Sequence, residues 1–382
     1  MTELSRYANQ LLLSALNTPE TLPALPPADW DLLLRVARRV RLLGRLEANL
    51  ARFGLLSAIP PKAWEHLRAS RNVIEHRRTL VSWEVNRLLW ATKGIDAPLI
   101  LLKGAAYVVA GLPPAPGRLF ADVDLLVPEQ SIGEIEERLV ARGWMKLPID
   151  PYDDRYYRVW MHEIPPLRHQ ERGTEIDIHH RLLPRTSRLA SDPAPLLQDA
   201  RPVGGDPRLL ILAPADLVLH ALVHLFLEGD PREGLRFRDL LDAHDLIRHY
   251  GNEPGFWEGL APRARQLGFA RPLYYGLRFA RKFFGTPIPG AVLAEAEKDA
   301  PPWPIRKLMD SLVPLAMLPG HPDHPSRLAS VARQILYLRA HWLRMPFAML
   351  ARHLAYKAWL RLRGVNKKVS LAEFAQLDLR QQ

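Results

Sequence analysis

The stretch Arg118-Leu-Phe-Ala-Asp122-Val-Asp124-Leu-Leu-Val127 sets two carboxylates in an alternating apolar frame. Side chains alternate across a strand, so Asp122 and Asp124 share one face while Val123, Leu125 and Val127 share the other. Like charges so close repel unless a cation lies between them. A second acidic strand pattern follows in Thr174-Glu175-Ile176-Asp177-Ile178-His179-His180, with Glu175, Asp177 and His179 on one face. If the two strands are neighbours, Asp177 completes a three-carboxylate cluster, a donor set for Mg2+ (or Mn2+), hard ions that keep water and phosphate ligands. Upstream, Leu102-Lys103-Gly104-Ala105 stands where an apolar strand pattern gives way to a helix pattern. A glycine lets backbone approach a phosphate, free N–H groups point outward at a helix start, and Lys103 adds positive charge, which together suit a triphosphate.

Other polar groups support weaker readings. His220 and His224 lie four apart on one helix face, but the segment His220-Ala-Leu-Val-His224 lacks the glutamate of a zinc peptidase and shows no third ligand. Packing for one histidine and cleft lining for the other is the expectation. His179 can bind nucleotide or hydrogen-bond within the sheet. Arg236, Arg238, Asp239 and Asp242 read as a salt-linked helix face, or as a helix closing over the nucleotide.

The elements that must position these groups follow from periodicity. Leu33, Val36, Val40, Leu43, Leu46 and Leu50 recur at three and four, which predicts one helix with Asp29 or Asp31 capping its start; a second is expected over 61–92. The run 97–102 then reads as strand, 105–110 as helix, 113–117 as a proline-rich loop, 119–127 as strand and 128–142 as helix stopped by Gly143. Further strands are expected over 159–168 and 174–180, and the stretch Tyr152-Asp-Asp-Arg-Tyr-Tyr157 as a loop. Helices return over 214–226 and 237–249, and Pro301-Pro-Trp-Pro304 marks a boundary. The resulting segments are helical 1–95, a mixed α/β core over 96–185, a helical unit over 186–300 that closes the cleft, and basic helices over 301–382. The fold class is α+β, a small mixed-sheet core flanked by helices on both sides.

Composition bounds the rest. There is no cysteine, which excludes disulfides, cysteine-based zinc sites and a thiol nucleophile, and fits a cytoplasmic location. The N-terminal segment has an early acid and no continuous apolar run of secretory type, and no apolar stretch is long enough to span a bilayer. The net charge is +11; from Arg327 onward eleven Lys or Arg oppose only Glu373 and Asp378. Such a segment could recruit an anionic partner such as nucleic acid or a membrane surface, or pack on the core with snorkelling arginines. Packing is expected, with Leu336, Leu343, Phe347, Leu350 and Leu354 on one side of a helix that also carries Trp342 and Trp359.

The order Leu-Lys-Gly, proline-bearing loop, Arg118-x-x-x-Asp122-x-Asp124-Leu-Leu-Val, then Asp177-x-His179 resembles the bacterial uncharacterised nucleotidyltransferases, a branch of the polymerase β superfamily. The helix around Leu219 to His224 and the Arg236–Asp242 segment extend the likeness over about residues 30 to 250. The resemblance implies a polymerase β-like core and a two-metal mechanism, with Asp122 and Asp124 bridging both ions and Asp177 on the ion that activates a hydroxyl. It also implies a triphosphate, ATP being expected, held by Lys103, the Gly104 backbone and Arg118, with His179 beside it. Where the wider superfamily has Gly-Ser at the phosphate turn, this chain has Gly104-Ala105, so a serine contact to phosphate is missing. The acceptor is expected to be a small-molecule hydroxyl; the alternatives are nucleotidylation of protein or RNA, as in toxin systems, and a non-catalytic nucleotide- or nucleic-acid-binding module. Three retained carboxylates argue against that module, because binding alone gives no reason to crowd like charges.

Overall fold

The computed structural model describes residues 2–120, 122–146, 151–189, 192–228 and 234–351, with backbone alone for 151–153. The chain begins with four helices, α1 (Glu3–Asn17), α2 (Pro27–Arg39), α3 (Leu43–Arg52) and the long α4 (Pro61–Ala91). The single helix expected over 33–50 is two. Arg41 takes a left-handed φ of 59°, which ends α2 and turns the chain so that Leu33 and Val36 before it, and Leu46 and Leu50 after it, are all buried. Asp29 lies in the first turn of α2, but Pro26 occupies the cap and no side chain caps the helix. Gly44, at the start of α3, faces the proline-rich loop: a Cβ there would fall 2.8 Å from the Gly117 carbonyl oxygen. That contact docks the proline-rich loop onto α3.

The core follows as β1 (Leu99–Leu101), α5 (Lys103–Val109), β2 (Asp122–Leu126), α6 (Ile132–Val140), β3 (Trp144–Lys146), α7 (Pro151–Trp160), β4 (Leu167–His169) and β5 (Glu175–His179). After α8 (Ala194–Gln198) come β6 (Arg201–Pro202) and β7 (Leu209–Ile211). The strands form one mixed seven-stranded sheet in the order β3-β4-β5-β2-β1-β7-β6. β2 is central, parallel to β5 and antiparallel to β1. Its inner residues Val123, Leu125 and Leu126 are buried, and α4 and α5 pack against it.

Two expectations are corrected here. The strand expected over 159–168 is confined to β4, because Val159 and Trp160 end α7, and the 152–157 stretch belongs to that helix rather than to a loop. Pro165 and Pro166 stand between the two and remove the N–H groups a longer strand would need.

The helical half comprises α9 (Pro214–Leu227), α10 (Phe237–Tyr250), α11 (Phe256–Gln266), α12 (Ala270–Phe284), α13 (Gly290–Glu297), α14 (Trp303–Met317) and α15 (Arg327–Arg344). α9 is apolar on nearly every side and almost wholly buried, the pattern of a central helix. Its one acid, Asp216, accepts two 2.7 Å hydrogen bonds from Arg263 of α11. α15 packs on α14 and α9, and Thr186 and Arg188 donate to the carbonyls of Trp342, Leu343 and Arg344 at its end. Pro302, in the expected boundary, is the cap of α14. Leu336 and Leu350 are buried as a packed segment requires, Leu343 is half-buried, and Phe347 and Trp342 are exposed, with Arg188 stacked 4.4 Å over the Trp342 ring. Leu354, Trp359 and the basic residues beyond them lie outside the described residues. Among the described residues no helix is long and apolar enough to cross a membrane.

Candidate active site

Parallel pairing of β2 with β5 sets Asp122 opposite Glu175, Asp124 opposite Asp177 and Leu126 opposite His179. The register brings Asp122, Asp124 and Asp177 together, one oxygen of each lying within 4.8 Å of the others. Asp124 is buried, Asp177 half-buried and Asp122 exposed at the end of the strand, so the cluster opens to solvent through Asp122.

The three carboxylates differ in environment. Asp124 Oδ1 accepts a 2.9 Å hydrogen bond from Lys103 Nζ and lies 3.2 Å from His179 Nε2. Burial alone would raise its pKa, but the Lys103 ammonium and the His179 contact hold it well below the usual carboxylate range. Asp177 has no such partner. Its Oδ1 is buried without a hydrogen bond, and burial together with the charges of Asp124 and Asp122 pushes its pKa up to about 8. An oxygen left bare beside two other carboxylates is what a cation site looks like without its ion, and an all-oxygen set fits Mg2+ or Mn2+.

Lys103 opens α5 with a left-handed φ of 45°, a conformation that costs a non-glycine residue about 1 kcal/mol or more. Its ammonium is bonded to Asp124 across the β1–β2 pair, and that tie holds the strained residue in place. Gly104 is also required by packing. A Cβ there would lie 2.5 Å from Phe120 Cδ1 and 2.7 Å from Arg118 Nη1, so its bare backbone receives those side chains. The Arg118 guanidinium carbon sits 5.5 Å from the ring centres of both Tyr107 and Phe120, its Nε donates to Asp242 Oδ2 at 2.7 Å, and Nη2 is 3.9 Å from Asp239. Arg118 is thus tied to α10, and the Arg236–Asp242 segment is no surface face: Asp239 and Asp242 are buried.

His179 is buried beneath the cluster, and burial with the neighbouring Lys103 charge pushes it down to about 4, so it is neutral near pH 7 and its Nε2 proton serves Asp124. His220 and His224 both pack inside α9. Burial beside Lys103 drives His220 well down, whereas His224 is raised against burial by Glu228 and Asp239, whose oxygens lie 2.8 and 2.9 Å from its two ring nitrogens.

Three residues escaped the sequence reading. Glu163 forms a bridge with His179, and its Oε2 is 3.5 Å from His179 Nε2; His162 Nε2 is 3.9 Å from Glu163 and 3.4 Å from Glu228. Glu163 is raised well above the carboxylate range by burial, Asp177 and Glu228. The adjacent His162-Glu163 pair, in a segment read as strand beside an acidic strand, was the available signal; Glu228 stands one turn beyond His224.

A family model described as an uncharacterised nucleotidyltransferase matches residues 26–285, which include every residue of this site and the whole sheet. No curated protein and no solved structure matches the chain.

Proposed function

We propose that this chain, which belongs to the uncharacterised nucleotidyltransferase family, is a metal-dependent enzyme of the polymerase β type. It transfers a nucleoside monophosphate, AMP from ATP, to the hydroxyl of a small-molecule acceptor. The hydroxyl oxygen bonds to the α-phosphorus, the bond to the bridging oxygen breaks, pyrophosphate leaves with that electron pair, and the hydroxyl proton passes to solvent water. The observation that carries this reading is the bare, buried Asp177 oxygen beside Asp124 and Asp122. Mg2+ or Mn2+ held by these three residues would supply the charge that offsets the phosphoryl oxygens and acidifies the hydroxyl.

The chain's own groups do the positioning. Lys103 and His179 both bond to Asp124 Oδ1, which fixes the carboxylate and keeps it ionised. Lys103 and the Gly104 backbone hold the triphosphate at the turn after β1. Arg118, engaged by Asp242, clamps α10 against that turn and shapes the phosphate side of the cleft. Ala105 donates no hydroxyl there, so the charge of Lys103 carries that side of the recognition.

The test is incubation of the full chain with labelled ATP and Mg2+ in a cell extract, followed by mass spectrometry of small molecules, protein and RNA, with pyrophosphate release measured in parallel. The expected result is a labelled small molecule and pyrophosphate, both lost by orders of magnitude in Asp124→Asn. Label on protein or RNA instead would overturn the acceptor class. No ATP–Mg2+ binding by folded protein, or near-normal turnover by Asp124→Asn, would overturn the mechanism.

A further inference from the structure

Beside the three aspartates lies a second convergence of ligating atoms whose chemistry differs. His162 Nε2, Glu163 Oε2 and His179 Nε2 face one another, with Glu228 Oε1 behind His162. We infer that His162, Glu163 and His179 form a binding site for a second, borderline divalent ion of the zinc class, adjoining the aspartate site through the Asp124–His179 contact.

The distances carry the argument. Two ligands each about 2.1 Å from a tetrahedral ion stand about 3.4 Å apart. Within the set the separations are 3.5 Å for His179–Glu163 and 3.9 Å for His162–Glu163, and all three ligating atoms lie within 4.8 Å of one another. Both separations exceed the 2.7–3.2 Å of a good hydrogen bond and lie near the edge of a coordination tetrahedron. Both histidines are buried, and the Nδ1 of each has no hydrogen-bond partner among the described residues. Ligation at His179 Nε2, 3.2 Å from Asp124 Oδ1, moves the ring proton to Nδ1, so with that ion bound Lys103 is the donor left on Asp124 Oδ1.

Charge points the same way. Asp122, Asp124, Asp177, Glu163 and Glu228 are five carboxylates, against which the Lys103 ammonium is the cation bonded to the cluster. Glu228 is matched by His224, 2.8 Å away, which leaves Asp122, Asp177 and Glu163 crowded beside Asp124, a repulsion that bound cations would relieve. Imidazole with carboxylate selects a borderline ion, whereas the all-oxygen aspartate set selects a hard one.

The inference does not require nucleotidyl transfer. The probe is Co2+, added to the chelator-stripped full chain in excess Mg2+ and followed by visible absorption and metal analysis, with Zn2+ as competitor. The expected result is uptake of one equivalent with the intense absorption of a low-coordinate nitrogen–oxygen site, displaced by Zn2+. Glu163→Gln and His162→Ala should weaken uptake at least about tenfold, whereas Asp122→Asn should retain it while losing the response to Mg2+ and ATP. Circular dichroism checks folding, and Glu163→Gln, nearly isosteric, decides the matter if His162→Ala fails to fold. No Co2+ uptake by the wild type in excess Mg2+, or undiminished uptake by folded Glu163→Gln, overturns the site.

Discussion

Replacing Asp177 by asparagine should make the protein more stable without metal and indifferent to metal. The folded-state pKa of Asp177 is raised from 3.8 to about 8 by burial and by its two aspartate neighbours. Between those values the folded chain holds a proton that the unfolded chain has released, so stability is lost as pH rises through that window. From about pH 5.5 to about pH 8 the shift spans about 2.5 pH units, and at about 1.4 kcal/mol per unit the loss is about 3 kcal/mol. At about 2 °C per kcal/mol for a chain of this size, the melting point of the metal-free wild type should fall by roughly 6 °C over that range. Added Mg2+ or Mn2+ binds the ionised cluster in place of the proton, so the metal-induced rise in melting point should grow with pH. Asp177→Asn carries no titrating proton there; its metal-free melting curve should lose this slope, and its metal response should shrink. Differential scanning fluorimetry across the pH series, with and without metal, reads all three. A wild type without the slope, or a variant that keeps either the slope or the full metal response, would refute the picture of a self-repelling empty cluster.

Other perturbations follow from the packing. Gly104→Ala places a methyl group 2.5 Å from Phe120, a buried ring, so we expect roughly 1–3 kcal/mol of destabilisation by chemical denaturation and a weaker ATP response. Arg263→Ala leaves the fully buried Asp216 carboxylate without its two hydrogen bonds and should cost about 3–5 kcal/mol, whereas Arg265→Ala, on the exposed side of the same helix, should cost under about 1 kcal/mol. Leu336→Ala, buried in α15, should destabilise by about 2–5 kcal/mol, against about 0.5 kcal/mol or less for the half-exposed Leu338→Ala two residues on. Equal effects would show that α15 is not packed as described.

The aspartate cluster was legible because it depends on one rule, the period of two along a strand, and on the adjacency of two acidic strands. The Asp124–Asp177 register bears out that adjacency. Long helices such as α4 and α9 were legible for the parallel reason. What failed depends on features that periodicity does not encode. The break at Arg41 is a left-handed residue with no glycine to announce it, β7 takes its place in the sheet from β1, far away in sequence, and β3 and β6 are only three and two residues long. Glu163 meets His179, and His162 meets Glu228, only because β5 and the ends of α7 and α9 converge, so residues 66 positions apart become neighbours. Gly104 was singled out for an approach to phosphate, and nothing in the periodicity announced that Arg118 and Phe120 fill the space beside its backbone.

That last detail bears on how the two halves of the chain act together. From α10, Asp239 bonds His224 Nδ1, whose other nitrogen faces Glu228, while Asp242 takes the Arg118 guanidinium. Arg118 rests on the backbone of Gly104, and the next residue back, Lys103, holds Asp124. A second tie runs from Asp245 of α10 to Arg45 of α3, with Arg45 Nη2 donating at 2.8 Å. Helix α10 is therefore connected to Asp124 through Arg118, the Gly104 backbone and Lys103, and to α3 through Arg45. Buried pairs of this kind add little net stability compared with apolar packing, but each is costly to break singly. Their effect is to make one relative placement of sheet and helices far better than any other, which is what a site built from carboxylates on β2 and β5 and imidazoles on β5 and α9 requires.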